Sequence, residues 1–522
     1  QRLDVLAEGL SGMRLIEASA GTGKTHTLTD LYLRLVLEGG RSVDRILVVT
    51  FTEAAKAELR ERIRARLDAA REAFERGAPA DPGDEVLAGL LGRLPDRAAA
   101  ARRLAHAVQG FDEAAILTIH GFCQRALKES AFESGQPFET ELVPDEGELL
   151  QEVVDDFWRR TLYGGSAFLV GHLLKTKTRS SPERWAKIIR PYLGKPYLAV
   201  RPPAPPPVGA ETEAQYAARY RETRALWEKD REAIGTILRT QTALNAQKYP
   251  AKSLPAWLGE IEALLRPAEA HASWCDRVEK FAARSLTAAA KKGTVAPTHP
   301  FFAACERLAD ARASLKAYLD FQTKTLTLTL RDYCDGELDT RKRRRQLTAY
   351  NDLLVRLDEA LAGDRGAALA EEIRRRYSAA LIDEFQDTDP VQYSIFKRIY
   401  GGTDLPLFLV GDPKQAIFGF RGADIFAYLD ASRDAGERRT LDRNWRSSPR
   451  LIQAVNAVFG RARDPFLFPE IAFDPVKPAE KEREVLRVAG ETGPPFRFWC
   501  LQRADASKPM AKGYAGWLGG VF

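Results

Sequence analysis

The sequence predicts an α/β fold in which two separated stretches share one sheet, with a large helical insertion between them. Three observations carry this. The chain opens with strand, Gly-rich turn and amphipathic helix; the residues from about Ala80 to Leu347 read as helical and charged; after Tyr377 hydrophobic strands ending in acidic turns return.

Arg14 to Ile16 reads as a strand, Lys24 to Glu38 as an amphipathic helix, and Arg45 to Thr50, with its apolar run Ile46-Leu47-Val48-Val49, as a buried strand. From Glu53 the apolar positions Ala55, Leu59, Ile63, Leu67 and Phe74 recur mostly at helical spacing, and Gly77-Ala78-Pro79 ends the pattern. Arg201 to Val208 is proline-rich and suits an extended linker or surface loop. The alternation of Thr and Leu from Thr325 to Leu330 suits a strand or a helix equally, and both stay open. Ala379 to Ile382 and Leu405 to Val410 are the later strands, and no repeat of fixed period is present.

A chain of 522 residues corresponds to three or four domains at roughly 150 residues each. Apolar residues at 45% and charged residues at 29% exclude a mostly disordered or collagen-like chain. No apolar run approaches the roughly 20 residues of a spanning helix, so a soluble chain is expected. The net charge of +6 fits an anionic partner without identifying one. Cys123, Cys275, Cys305, Cys334 and Cys500 lie far apart with no C-x-x-C pair, which argues against a disulfide framework or zinc site and fits a reducing cytoplasm. The first residue is Gln1 rather than Met, so the natural start is not in view, and no charged-then-apolar leader follows it.

Ala18-Ser19-Ala20-Gly21-Thr22-Gly23-Lys24-Thr25 lies between strand and helix, the context of a phosphate-binding loop. Gly21 and Gly23 let the backbone curl so that its N–H groups face phosphates, and the helix N-terminus adds positive potential. Lys24 is expected on the β- and γ-phosphates of ATP and Thr25 on Mg²⁺. The full pattern has glycine where Ala18 stands. Leu381-Ile382-Asp383-Glu384-Phe385-Gln386-Asp387 supplies the complementary acidic strand end: Asp383 to hold the magnesium, Glu384 to orient and deprotonate the attacking water.

Six ordered blocks extend the pattern: Leu15-Ile-Glu-Ala-Ser-Ala-Gly-Thr-Gly-Lys-Thr25, Val49-Thr-Phe-Thr-Glu-Ala-Ala55, Thr118-Ile-His-Gly-Phe-Cys-Gln124, Ile382-Asp-Glu-Phe-Gln-Asp-Thr388, Gly411-Asp-Pro-Lys-Gln-Ala-Ile-Phe-Gly-Phe-Arg-Gly-Ala-Asp424 and Leu441-Asp-Arg-Asn-Trp-Arg-Ser447. Through them the chain resembles the UvrD/Rep group of superfamily 1 DNA helicases, and within it the RecB-like branch, to about Phe498. An alanine at the Ala18 position is usual in that group. The resemblance implies a RecA-like P-loop NTPase lobe in two parts, 1–75 and 348–436, a mostly helical DNA-facing insertion at 76–347, and the start of a second RecA-like lobe at 437–522. It further implies that Gln415 senses the γ-phosphate, that Arg446 reaches the γ-phosphate from the second lobe, and that Trp445 stacks on adenine unless it is an ordinary buried Trp.

For DNA, Phe51, Phe418 and Phe420 beside Thr50, Thr52 and Arg421 suit stacking of unpaired bases and contact with the backbone without reading sequence, or else some of them fill the core. His120 and Thr118 resemble a block lining the same groove. The run Arg341-Lys342-Arg343-Arg344-Arg345 either touches phosphates or is a solvated helix face. Tyr350-Asn351-Asp352-Leu353 departs from the group's Phe-Asp-Asp-Leu pattern. The later motifs of the second lobe and the C-terminal nuclease of RecB-like chains are not visible, so no nuclease activity is expected of this chain. The implied function is an ATP-dependent 3′–5′ DNA helicase and translocase of double-strand-break repair, working on single-stranded DNA and duplex ends with RecC- and RecD-like subunits. The alternatives are a truncated ATP- and DNA-binding module without unwinding, or an AddA-type subunit.

Overall fold

The computed structural model describes residues 1–522 except 130–139, 176–178, 207–208, 271–276, 418, 420–422, 480–486, 489–490, 493–495 and 497–522. Two compact units result: 1–136 together with 356–522, and 137–355.

The first unit is built on six strands: β1 (Met13–Ala18), β2 (Ile46–Thr50), β3 (Ile116–Thr118), β4 (Ala379–Ile382), β5 (Leu407–Gly411) and β6 (Glu437–Leu441). Their order is β3-β2-β4-β5-β1-β6 and every pairing is parallel. The sequences Ile-Leu-Val-Val-Thr of β2, Ala-Ala-Leu-Ile of β4 and Leu-Phe-Leu-Val-Gly of β5 are buried at every residue. Continuous apolar runs of this kind belong to strands covered on both faces. The expected sheet shared by two separated stretches of chain is therefore present.

Helix α1 (Lys24–Leu37) lays Leu28, Leu31, Tyr32, Leu35 and Val36 on the sheet, in one core with Ile16, Val48, Leu381 and Val410. Helix α2 (Glu53–Arg76) adds Leu59, Ile63 and Leu67 to that core, the face its spacing predicts. Thr52 caps α2, its Oγ1 accepting from Ala55 N at 3.1 Å, and Gly77 ends it at φ 86°, a left-handed turn that glycine adopts without a Cβ penalty.

Three boundaries differ from expectation. Residues 348–355, expected in the second part of the lobe, belong to the helical unit, and the stretch 76–129, expected within the insertion, packs in the first unit. Its helices at 85–93 and 97–109 present Leu87, Leu90 and Leu104 to the core shared by α1 and α2, and that apolar stripe decides where they sit. The residues Glu437–Leu441, expected to open a second lobe, form β6 and pair with β1 from Arg14↔Glu437 to Ala18↔Leu441. Ion pairs of Arg14 with Glu437 at 2.8 Å, Arg439 with Glu8 at 2.8 Å and Arg438 with Glu17 at 2.5 Å fasten that edge.

The second unit is helical. Its spine is one helix of 46 residues, Pro300–Arg345, about 69 Å long at roughly 1.5 Å per residue. His299 caps it through Nδ1, which accepts from Phe301 N at 3.1 Å, and Pro300 occupies the first turn, where its missing N–H is not needed. One core gathers Tyr216, Tyr220, Trp227, Trp257, Phe301 and Phe302; another gathers Val153, Phe157, Trp158, Trp185, Leu330 and Leu338. The Thr and Leu alternation lies inside this spine and is helical. Thr323, Thr327 and Thr329 donate to the carbonyls four residues earlier, at 2.8, 2.8 and 3.1 Å, so the hydroxyls are satisfied without leaving the helix.

The basic run ends the same helix and is largely engaged by acids. Arg341 meets Asp156 at 2.6 Å, Lys342 meets Asp352 at 2.6 Å and Glu146 at 3.0 Å, Arg343 meets Asp339 at 2.9 Å and Arg345 meets Glu152 at 2.7 Å. Burial opposes the charge on Lys342, but Asp352 and Glu146 outweigh it and its pKa is raised. Asp352 also caps the next helix by accepting from Ala349 N at 2.8 Å, which gives that acid a structural role. The prolines at 202–206 carry no regular structure.

Among the described residues no helix is long and apolar enough to cross a membrane. Cys123, Cys305 and Cys334 are buried free thiols; Cys275 and Cys500 lie outside the described residues. Lys342→Ala should cost about 2–3 kcal/mol, because it strands two carboxylates in a partly buried site. Urea unfolding measures it, and an unchanged midpoint would show that the triad holds nothing together.

Candidate nucleotide site at the strand ends

In an all-parallel sheet the carboxyl ends of the strands share one edge, and ligands bind in the crevice outside it. Here that edge carries the loop after β1, the acidic turn after β4, the block after β5 and the segment after β6.

The loop begins at Ala18, which is buried at the end of β1. Ser19 O accepts both Thr22 N at 3.1 Å and Thr22 Oγ1 at 2.7 Å, closing the curl, and Thr22 is itself buried. Gly21 and Gly23 take φ values of 79° and 95°, and Gly23 caps α1. A Cβ on Gly21 would stand 2.7 Å from Arg446 Cβ and 3.0 Å from Asn444 Oδ1. Glycine is required there by shape as well as by backbone angle. Lys24 and Thr25 open α1, with Thr25 half-buried.

The segment after β6 lies against this loop. Trp445 N donates to Gly21 O at 2.7 Å and Asn444 Nδ2 to Ala20 O at 2.9 Å. Asn444 Oδ1 accepts from Arg446 N and Ser447 N, each at 2.9 Å. One amide thus ties Arg446 to the phosphate loop. Trp445 is 49% exposed rather than buried, with the Arg443 guanidinium 6.0 Å from its ring centroid.

Across the loop, Lys24 Nζ lies 2.5 Å from Glu384 Oε2, bridging a separation of 360 residues. Glu384 takes φ 50°, ψ 43°, a left-handed conformation that costs a side-chain-bearing residue on the order of 1 kcal/mol. The turn is held from both sides: Asp383 N donates to Val49 O at 2.9 Å, and Gln386 Nε2 donates to Glu384 Oε2 at 2.7 Å. Gln386 Oε1 accepts from Asp412 N at 2.9 Å, so the same amide joins the acidic turn to the block after β5. Asp412 is buried, pairs with Lys414 at 2.9 Å and accepts from Gln415 Nε2 at 2.6 Å.

Asp383 is buried, and burial first, then the neighbouring Glu384, pushes its carboxyl up to about 6, with Lys24 pulling the other way. A buried acid beside a second acid is a site that a divalent cation would stabilise, and Thr25 is the remaining oxygen donor expected there. The glycine-shaped loop, Lys24 and this carboxylate fit a nucleoside triphosphate with its magnesium.

Of the residues expected on DNA, Thr50, Phe51, Thr52, Thr118 and His120 fall at the neighbouring strand ends. Thr50 of β2 is in register with Thr118 of β3. Thr50 is buried, and its hydroxyl has no hydrogen-bond partner among the described residues. Phe51 is half-buried, and Thr52 is the cap of α2. Thr118 Oγ1 accepts from Gly121 N at 3.2 Å. His120 is half-buried, and burial lowers its pKa. Phe418, Phe420 and Arg421 lie outside the described residues.

Sequence reasoning assigned nothing to Asn444, Gln386 or Asp412, although each stands in a quoted block. The signal was an amide or acid inside a motif with no chemistry of its own, a residue type suited to joining two loops.

The charge on Asp383 has a stability consequence. Its folded value lies above that of an ordinary aspartate, so the protonated form favours folding; that contribution is complete below about 4 and is lost as pH rises through about 6. Asp383→Asn should therefore be more stable than the unsubstituted protein by about 2–3 kcal/mol at pH 7.5 without metal or nucleotide, with the gap closing towards pH 4. Urea titrations at the two pH values measure this, and equal stability at pH 7.5 would remove the strained-carboxylate account.

The model of the UvrD/REP helicase N-terminal domain family matches residues 1–436. The chain is 39% identical over 515 residues to the RecBCD enzyme subunit RecB of Escherichia coli (strain K12), covering 96% of this chain and 42% of that protein. It is 34% identical over 548 residues to the RecB subunit of Haemophilus influenzae, covering 96% and 44%. With the RecB subunit of Mycolicibacterium smegmatis it shares 30% over 449 residues, covering 86% and 30%. The chain thus spans less than half the length of these curated relatives.

Proposed function

The chain belongs to the UvrD/REP helicase family, and from that premise we propose that it is the ATP-driven motor portion of a RecB-like 3′–5′ DNA helicase of double-strand-break repair and recombination. The observation that carries the reading is the meeting of Lys24, Asp383 and Glu384 beside a glycine-shaped loop that also touches Trp445 and Arg446.

The roles follow from that geometry. The amides from Ser19 to Thr25 would cradle phosphates at the N-terminus of α1. Lys24 would exchange the Glu384 carboxylate for the β- and γ-phosphate oxygens. That exchange frees Glu384 to orient and deprotonate the attacking water, so the base is held captive until nucleotide arrives. Thr25 and Asp383 would hold Mg²⁺, which neutralises phosphate charge when bound. Arg446 would stabilise charge developing on the γ-phosphate, and the exposed face of Trp445 suits an adenine ring. Gln415, hydrogen-bonded to Asp412, would report the state of the γ-phosphate along the chain Gln386–Asp412 to the block after β5. DNA would lie along the ends of β2 and β3, on Thr50, Phe51, Thr52, Thr118 and His120; Phe418, Phe420 and Arg421, outside the described residues, are assigned to the same DNA from their sequence block alone. Cytoplasmic RecC- and RecD-like subunits would be the partners, by analogy with the assembly named for the relatives.

One observation favours a second reading, an ATP- and DNA-binding module that does not unwind. The strand expected to open a second lobe is instead the sixth strand of the first sheet.

Lys24→Ala should abolish ATP hydrolysis stimulated by single-stranded DNA, and retained turnover would remove the loop assignment. Glu384→Gln should bind ATP but lower turnover by a factor on the order of 10²–10⁴; undiminished turnover would mean another base. Strand displacement on a 3′-tailed duplex with this chain alone separates the two readings: unwinding supports the motor, and nucleotide-dependent DNA binding without unwinding supports the module.

A further inference from the structure

Glu17 stands on β1 one residue before the phosphate loop and is buried at 4% exposure. Both its carboxylate oxygens are engaged. Tyr428 Oη donates to Oε1 at 3.0 Å, and Arg438 Nη2 of β6 donates to Oε2 at 2.5 Å. Tyr428 comes from the helix Ile425–Asp434 and is 1% exposed. The centroid of its ring lies 5.8 Å from that of Phe385, the residue that follows Glu384. Its hydroxyl therefore bonds the strand that carries the phosphate loop, while its ring packs on the turn that carries the general base.

The third connection runs through the start of the helix. Asp424 Oδ1 caps it by accepting from Phe426 N at 2.9 Å, and Asp424 N donates to Thr388 O, just past the acidic turn, at 3.2 Å. Asp424 is also the last residue of the block that opens at Gly411 and contains Gln415. A shift of either nucleotide-side element would press on Tyr428, and through its helix on Asp424. Burial, and then the neighbouring Glu17 carboxylate, keep the phenol protonated and so a donor.

We propose that Tyr428 is a positioning residue that couples the phosphate loop to the Glu384 turn and to Asp424, so that DNA binding accelerates hydrolysis. This rests on the motor reading above. The hydroxyl-to-carboxylate bond is charge-assisted and joins two buried side chains, so removing one oxygen atom uncouples the elements without removing the ring from its place.

The test is steady-state ATP hydrolysis by the full chain, with and without a single-stranded oligo-dT. Tyr428→Phe keeps the ring on Phe385 and removes the bond to Glu17. Its DNA-stimulated kcat should fall on the order of fivefold, while KM for ATP and the DNA-free rate stay within about twofold. A purely structural tyrosine would lower the melting temperature and leave the ratio of stimulated to unstimulated rates unchanged; that result, or full stimulation, overturns the proposal. Absence of DNA-stimulated hydrolysis in the unsubstituted chain overturns the motor reading itself, and the coupling with it. Should Tyr428→Phe not fold, Glu17→Gln and Glu17→Met replace it. Gln keeps an acceptor for the hydroxyl and should retain stimulation, Met should lose it, and equal behaviour of the two overturns the proposal.

Discussion

The arrangement depends on one constraint: all six strands run the same way, so every carboxyl end arrives at one edge of the sheet. Lys24 and Glu384 are neighbours in space because β1 and β4 end there with only β5 between them. A parallel sheet must bury both faces, and the apolar runs of β2, β4 and β5 meet that demand. Once those runs are covered by α1, α2 and the helices beside them, the polar residues have nowhere to collect except at the strand ends.

What collects there is electrostatically costly. Two adjacent carboxylates, one of them buried, face a single lysine, and the other, Glu384, is itself held in a left-handed conformation. Such a cluster persists because its neighbours leave it no alternative. Val49 O holds the Asp383 amide, Gln386 holds Glu384, and Asn444 pins the loop opposite. The groups that perform chemistry are therefore few, while the groups that hold them outnumber them and come from every strand end nearby. Second-layer amides of this type have a donor and an acceptor on one short side chain, which is why Gln386 and Asn444 can each join two loops at once.

The helical unit follows a different logic. Its cores are rich in Trp, Tyr and Phe, and four residues of its basic run pair with acids of its own unit, Arg343 and Arg345 while still exposed. Charge composition was ambiguous about that run because a row of arginines looks the same in sequence whether its partners are phosphates or carboxylates. The partners are Asp156, Glu152, Glu146 and Asp352, and only folding brings them to the helix end.

Four of the six strands (β1, β2, β4 and β5), the two helices after β1 and β2, and the glycine-rich loop were legible in the sequence because each is a local matter: apolar period, capping residue, and glycine where φ is positive. The acidic turn was legible for the same reason, as a hydrophobic strand that stops at two carboxylates. Long-range choices were not. Whether 76–129 joined the sheet or the insertion turned on which core would take Leu87 and Leu104, and whether Glu437–Leu441 began a new sheet or closed the old one turned on pairing with β1. The Thr and Leu alternation was undecided until a 46-residue helix absorbed it. The sequence by itself determined which residues are proposed to hold phosphate and metal. The tertiary structure alone decided which amides and ion pairs hold them in place, because those contacts join residues hundreds of positions apart, and no local pattern records a partner at that distance.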